Sequence, residues 1–159
     1  MSSSPTMAPA AAAHELRGNF VMLRADALRL LLPQHDVGAA THLGSAPRPT
    51  DLAGFFDHGD AASAQPVVAL SSEMRPLAQF PADRFFVTAI ATPLGEIGFG
   101  WSEVSVLLDA RLQAQPLPAA LLDARSTLRE FVEIDGRVVF CCDSKRMAHH
   151  ALANAGLTA

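Results

Sequence analysis

A chain of 159 residues, half of them apolar and 18% charged, is long enough to bury one core, or two small subdomains that share one. The net charge of −4 and the scatter of the 12 Lys and Arg leave no electrostatic footprint for nucleic acid. The two cysteines, Cys141 and Cys142, are adjacent, which argues against a disulfide framework and fits a reducing cytoplasm. No apolar run reaches the length of a membrane-crossing helix.

In chain order, residues 1–16 read as a disordered Ala/Pro/Ser tail, with no basic n-region and no apolar h-region of a secretory signal. NFVML (19–23) is a short apolar strand, and 28–32 carries the chain back to Pro33 after a polar turn. Leucine also favours helix, so 25–32 is compatible with one or two helical turns. The closing proline and the shortness of the run favour the hairpin. Residues 34–38 form a loop or a short helical turn after the proline, and 39–43 is a weakly signalled strand. DLAGFF (51–56) has the start of a short helix, with Thr50 or Asp51 as N-cap, and DHGDAASAQ is loop.

PVVAL (66–70) is a buried strand, followed by a connection over 71–82 that contains two prolines. RFFVTAIA (84–91) is a second buried strand. TPLG (92–95) turns the chain, and EIGF (96–99) returns it. Residues 100–108 alternate as a half-buried strand, with Gly98 and Gly100 as candidates for a bulge or bend. Residues 114–117 read as loop and 119–125 as a helical turn. LREFVEI and RVVFCC flank Asp135-Gly136, the strongest short-range hairpin signal in the chain. Asp143 or Ser144 then caps a helix that Gly156 stops. Many short strands, tight turns and one terminal helix make a mostly-β protein of barrel type.

Few residues suggest chemistry. Asp57, His58 and Asp60 have no zinc or calcium spacing and suit a solvated turn. His149 and His150 would splay apart on a helix, and a metal shared with His35 or His42 has no support in the spacing. Cys141 and Cys142 in a strand point to opposite faces, one thiol into the core and one outward, which favours inert packing. Ser71, Ser72 and Ser102 sit beside acids, but no nucleophile-elbow motif is present. The expectation is therefore a protein with no catalytic residues, no metal and no cofactor.

The ordered pieces resemble the CheW-like domain of bacterial chemotaxis adaptors. NFVMLRADALRLLLPQHDV is similar to that family's first hairpin, and PVVAL to its central strand. VTAIATPLGEIGFGWSEVSVLL is similar to its later hairpin, and LREFVEIDGRVVFCCDSKRMA to its closing hairpin and helix. The resemblance spans 17–150, with 151–159 as helix end and tail. It implies two small five-stranded barrels packed on a shared core and a C-terminal helix. It also implies a cytoplasmic, non-enzymatic signal-transduction adaptor. Its partners would be a CheA-type histidine kinase, a chemoreceptor or another adaptor, in a chemotaxis or pilus-like chemosensory pathway. One motif departs: the family's Asn-Leu-Arg-Gly before the central strand has no counterpart in DLAGFFDHGDAASAQ.

Phe55, Phe56 and Arg75 flank that departure and are the candidate exposed protein contacts. The two phenylalanines also suit a satellite core folded under the loop. From a different class, an apolar ligand held between the strands of a small barrel would suit the composition. An enzyme acting through His35, His58 or Ser72 is the third reading.

Overall fold

Buried on both faces, the first two strands tie the molecule together. The computed structural model describes residues 13–60, 62–121 and 128–154. Strand β1 (His14–Ala25) pairs antiparallel with β2 (Leu28–Pro33), with Ala25 opposite Leu28 across a two-residue turn. Alternate residues of these strands enter different cores. Phe20 and Leu31 face one cluster, whereas Val21, Leu23, Leu30 and Leu32 face another. Continuous apolar runs such as NFVML and LRLLL follow from that double burial.

The first cluster is the inside of a closed five-stranded barrel, in the order β1, β2, β11, β10, β9. Strand β9 (Glu103–Pro116) runs alongside β1 for most of its length, from Arg24 opposite Glu103 to His14 opposite Ala114. Strands β10 (Glu130–Ile134) and β11 (Arg137–Cys141) form the closing hairpin, and β11 pairs parallel with β2 to complete the ring. Ile134 opposes Arg137, so the loop is Asp135-Gly136 alone. Both residues have positive φ (52° and 75°), as a type I′ turn requires.

Between β2 and β9 the chain builds a second, curled sheet. Its six strands are β3 (Ala40–His42), β4 (Arg48–Pro49), β5 (Phe56–His58), β6 (Gln65–Val68), β7 (Phe86–Thr92) and β8 (Gly95–Trp101). Their order is β3, β7, β8, β6, β5, β4, with β6 and β8 parallel. Val68, Ile90, Phe99 and Trp101 of this sheet meet the outer face of β1 and β2, and the two sheets share one core. Helix α1 (Ser144–Asn154) adds Met147, Ala151 and Leu152 to that core. Asp143 is its N-cap: Oδ1 accepts the Arg146 backbone N–H at 2.8 Å.

The mostly-β class, the two packed β-units and the terminal helix are as expected, but the second unit is a six-stranded sheet rather than a five-stranded barrel. Local details also differ. Residues 14–16, expected in the tail, belong to β1, because Leu16 packs against the barrel core and pairs with Leu112. Residues 114–116 extend β9 instead of forming loop, since Ala114 is fully buried and Pro116 opposes Glu130. DLAGFF is a turn, not a helix: Thr50 Oγ1 accepts the Leu52 N–H and donates toward the Phe55 carbonyl, closing the loop locally. Part of the expected loop, Asp57 and His58, is strand, and β6 ends at Val68, leaving Leu70 in a single bridge with Pro76.

Gly98 and Gly100 mark no bulge. The β7–β8 register runs unbroken, and the two glycines make room for the side chains that cover that face, Val67, Val87 and Phe80. The bulge lies in β9. Leu108 and Asp109 together oppose Asn19, and the Asp109 N–H is held by Asn19 Oδ1 at 2.9 Å. That extra residue shifts the alternation of β9 by one. Leu107 on one side and Ala110 and Leu112 on the other therefore all face the barrel core. The Gly156 stop, the far part of 119–125 and most of the expected tail lie outside the described residues.

Candidate docking surfaces

Where the barrel meets the second sheet, a cleft of about 210 Å³ opens. Its floor is Val21 of β1 and Thr88 of β7, both buried. One wall is the outer face of β9, with Val104 and Val106. The other is the segment after β2, Val37 to Ala40. Gly38 lets that segment lie flush on β7: its N–H donates to the Ala89 carbonyl at 3.1 Å, and a Cβ there would sit 3.3 Å from the same oxygen. Val106 is 53% exposed, and Leu108, two residues further along β9 at the bulge, is 67% exposed. The cleft and this exposed pair form an apolar surface at the seam between the two sheets.

The seam is held by a buried arginine. The Arg84 side chain is fully buried. Nη1 donates to the Gly100 carbonyl (3.1 Å), and Nη2 donates to the Leu70 carbonyl (3.0 Å) and to Asp26 Oδ2 (3.1 Å). Asp26 sits in the β1–β2 turn with φ of 54°, so one guanidinium joins the barrel hairpin to β8 and to the segment that follows β6. Close by, β8 passes into β9 through Ser102, whose N–H donates to the Arg24 carbonyl at 2.8 Å. Trp101 is completely buried, and its Nε1 donates to Thr88 Oγ1 at 2.8 Å. The cleft floor is thus tied to the shared core through Thr88 and Trp101.

The residues expected to be exposed contacts separate. Phe55 and Phe56 are 7% and 4% exposed: Phe55 joins the shared core, and Phe56 packs edge-on against Phe80, with ring centroids 5.4 Å apart. Their expected exposure is corrected accordingly: Phe55 belongs to the main core, and Phe56 packs locally on Phe80. Arg75 is exposed, on a turn in which Ser71 Oγ accepts the N–H groups of Glu73 and Arg75. It does not line the cleft. Gly54 backs onto this turn, since a Cβ there would lie 3.0 Å from Pro76 Cβ.

The other candidates stay local. Gly59 turns the chain with φ of 106°, and its carbonyl accepts from Arg48 Nη2 at 2.7 Å, so the Asp57–Asp60 stretch is a strand end and turn. Among the described residues, no group of three or more His, Cys, Asp or Glu is placed to hold a metal. Cys142 is buried in the shared core, and burial pushes its thiol up to about 12. Cys141 packs against the barrel core rather than facing solvent, and burial with the Glu130 carboxylate nearby pushes it to about 11. Neither thiol is a nucleophile near neutral pH. The barrel lumen is filled by Phe20, Leu31, Ala114, Val132 and Val139.

Sequence reasoning missed the two features that define the seam. Val104 and Val106 were read only as the apolar half of an alternating strand, and Arg84 only as the start of one. The aliphatics at alternate positions, Val104, Val106 and Leu108, were visible as a signal. The burial of Arg84 was not, because its three oxygen partners come from distant points in the chain.

No family model and no curated protein sequence matches this chain. Among solved structures, the chain is similar to the scaffolding protein TtCheW from Thermoanaerobacter tengcongensis. The TM-score is 0.51 at 11% identity, over 83% of this chain and 92% of that one. The likeness shows a CheW-like fold. No helix among the described residues is long and apolar enough to cross a membrane.

Proposed function

We propose that this chain is a non-catalytic adaptor of the cytoplasm that docks a CheA-type histidine kinase, with a chemoreceptor or second adaptor as its other partner. The observation that carries the reading is the apolar seam: a cleft between two β-units, flanked by exposed Val106 and Leu108, on a fold shared with a scaffolding protein. Exposed aliphatics beside a preformed cleft are a surface for burial against another protein. Arg75 supplies a polar contact at a second point, on a turn whose Met74 shares the core with Phe55. The barrel lumen is filled by side chains, which accords with a role carried by the surface.

The test is calorimetric titration of the full chain with the regulatory domain of a CheA-type kinase from the same host. A saturable heat is expected, and Val106→Asp with Leu108→Asp should weaken it by about tenfold or more. Both positions are largely exposed, so far-UV circular dichroism should not change. Arg75→Glu should have a smaller effect. No binding by the parent chain, or binding indifferent to the β9 pair, overturns the reading.

A further inference from the structure

A second depression, of about 300 Å³, opens at one end of the barrel and shares no lining residue with the cleft. It takes shape from register. Arg24 of β1 stands opposite Arg29 of β2 on one side and Glu103 of β9 on the other. Arg137 stands at the start of β11, beside the Asp135-Gly136 turn. Met22 and Ile134, both packed on the barrel core, supply an apolar floor.

The charges are unevenly satisfied. Arg24 spends its guanidinium on Glu103, with Nε 3.0 Å from Oε2, and on the Asp26 carbonyl. Arg29 and Arg137 have no ion pair and no side-chain hydrogen bond among the described residues. Like charges directly opposite on paired strands repel, so the Arg24–Arg29 juxtaposition costs stability while nothing further neutralises it. Three arginines against Glu103 and Asp135 leave an excess of one positive charge, in a chain whose net charge is −4.

We infer that this depression binds a carboxylate borne on an acidic peptide segment of a partner protein, with Arg29 and Arg137 as its donors. Planar guanidiniums match a carboxylate two N–H to two O, which favours a carboxylate or phosphate over other groups. Two observations choose the carboxylate. The single surplus charge balances a monoanion, whereas Glu103 and Asp135 on the rim would repel a phosphate dianion. The Met22 and Ile134 floor accepts the methylene stem of a glutamate or an adjacent apolar side chain, which phosphate lacks. The open mouth admits a side chain projecting from a larger body. This inference does not depend on the cleft reading, because the two sites are made of different residues.

The test uses the ¹⁵N-labelled full chain titrated with a capped Leu-Glu-Leu peptide, followed through the arginine Nε–H signals and the backbone of 134–137. Saturable shifts at Arg29 and Arg137 are expected. They should weaken with added salt and be absent with the Leu-Gln-Leu counterpart. Arg29→Gln with Arg137→Gln should lower the affinity about tenfold or more, with the rest of the spectrum unchanged. Absence of a saturable shift overturns the inference, as does an equal response to the glutamine peptide. Inorganic phosphate binding the same signals more tightly than the peptide also overturns it.

Discussion

The barrel and the second sheet solve the same problem in opposite ways. The barrel closes on itself, so each of its five strands has neighbours on both sides, and its interior is apolar throughout. The second sheet stays open. It ends in strands of three and two residues, the latter containing Pro49, and short edges with a proline are poor templates for pairing. The second sheet and the loop leading into it also bury polar groups, Arg84, Thr88 and the Trp101 N–H, each of which makes at least one hydrogen bond. A closed ring needs only side chains of the right volume. An open sheet that must keep a fixed angle to a neighbour uses directional bonds as well.

That contrast can be broken by substitution. The largest expected effect is Trp101→Ala, which empties the centre of the shared core and strips Thr88 of its donor. It should lower unfolding stability by about 3–5 kcal/mol in urea titration. Arg84→Ala should follow at roughly 3 kcal/mol, because two buried carbonyls lose charged donors. Asp26→Ala, which removes a half-exposed partner of the same arginine, should cost under about 1 kcal/mol. If Asp26→Ala costs as much as Arg84→Ala, the seam depends on the ion pair rather than on the carbonyls.

Two glycines sharpen the difference further. Gly98 lies where a Cβ would meet Val87 Cγ1 at 2.7 Å and Val67 Cγ2 at 3.3 Å, so Gly98→Ala should cost about 1–3 kcal/mol through overpacking. Gly136 in the barrel turn has open space but φ of 75°, so Gly136→Ala should cost about 1 kcal/mol through backbone strain alone. Reversal of that order in melts of the two variants would contradict the packing of the second sheet. The smallest effect at neutral pH comes from the thiols. Their folded values, about 11 for Cys141 and about 12 for Cys142, lie above the ordinary 9.0. The unfolded chain releases these protons first, so stability is unaffected below pH 9 and falls as pH rises toward 12. Denaturant titrations at pH 8 and 10 should show that decline, and mutation of both cysteines to alanine should flatten it.

Much of the strand layout was legible because local chemistry and final position agree. Asp135-Gly136 demanded a two-residue turn and made one. Thr92 to Gly95 separated two apolar runs that pair in register. The misses share a cause: each depended on something distant. DLAGFF carries helix-like spacing, but Thr50 closes it as a turn and Phe55 is drawn into the shared core. Ala114 reads as loop by composition and is strand because it fits the barrel interior against β1. The β9 bulge had no local mark beyond Asp109, and its purpose is clear only once Asn19 is beside it. The same holds for both surfaces. Val106 and Leu108 were visible as apolar, but not as neighbours of a cleft, and Arg29 and Arg137 meet only through barrel closure.

The barrel is assembled from segments on either side of the second sheet, which is inserted between β2 and β9. His14 finds Ala114, and Leu30 finds Phe140, only after the whole of the second sheet has been made. On a ribosome, the β1–β2 hairpin therefore emerges with both apolar faces bare and waits for partners, whereas β3 to β8 can pair among themselves as they appear. High contact order of this kind slows folding and lengthens exposure to aggregation. Ring closure is then the late step, and the seam forms with it: until β9 docks on β1, the molecule has neither a lumen nor a cleft.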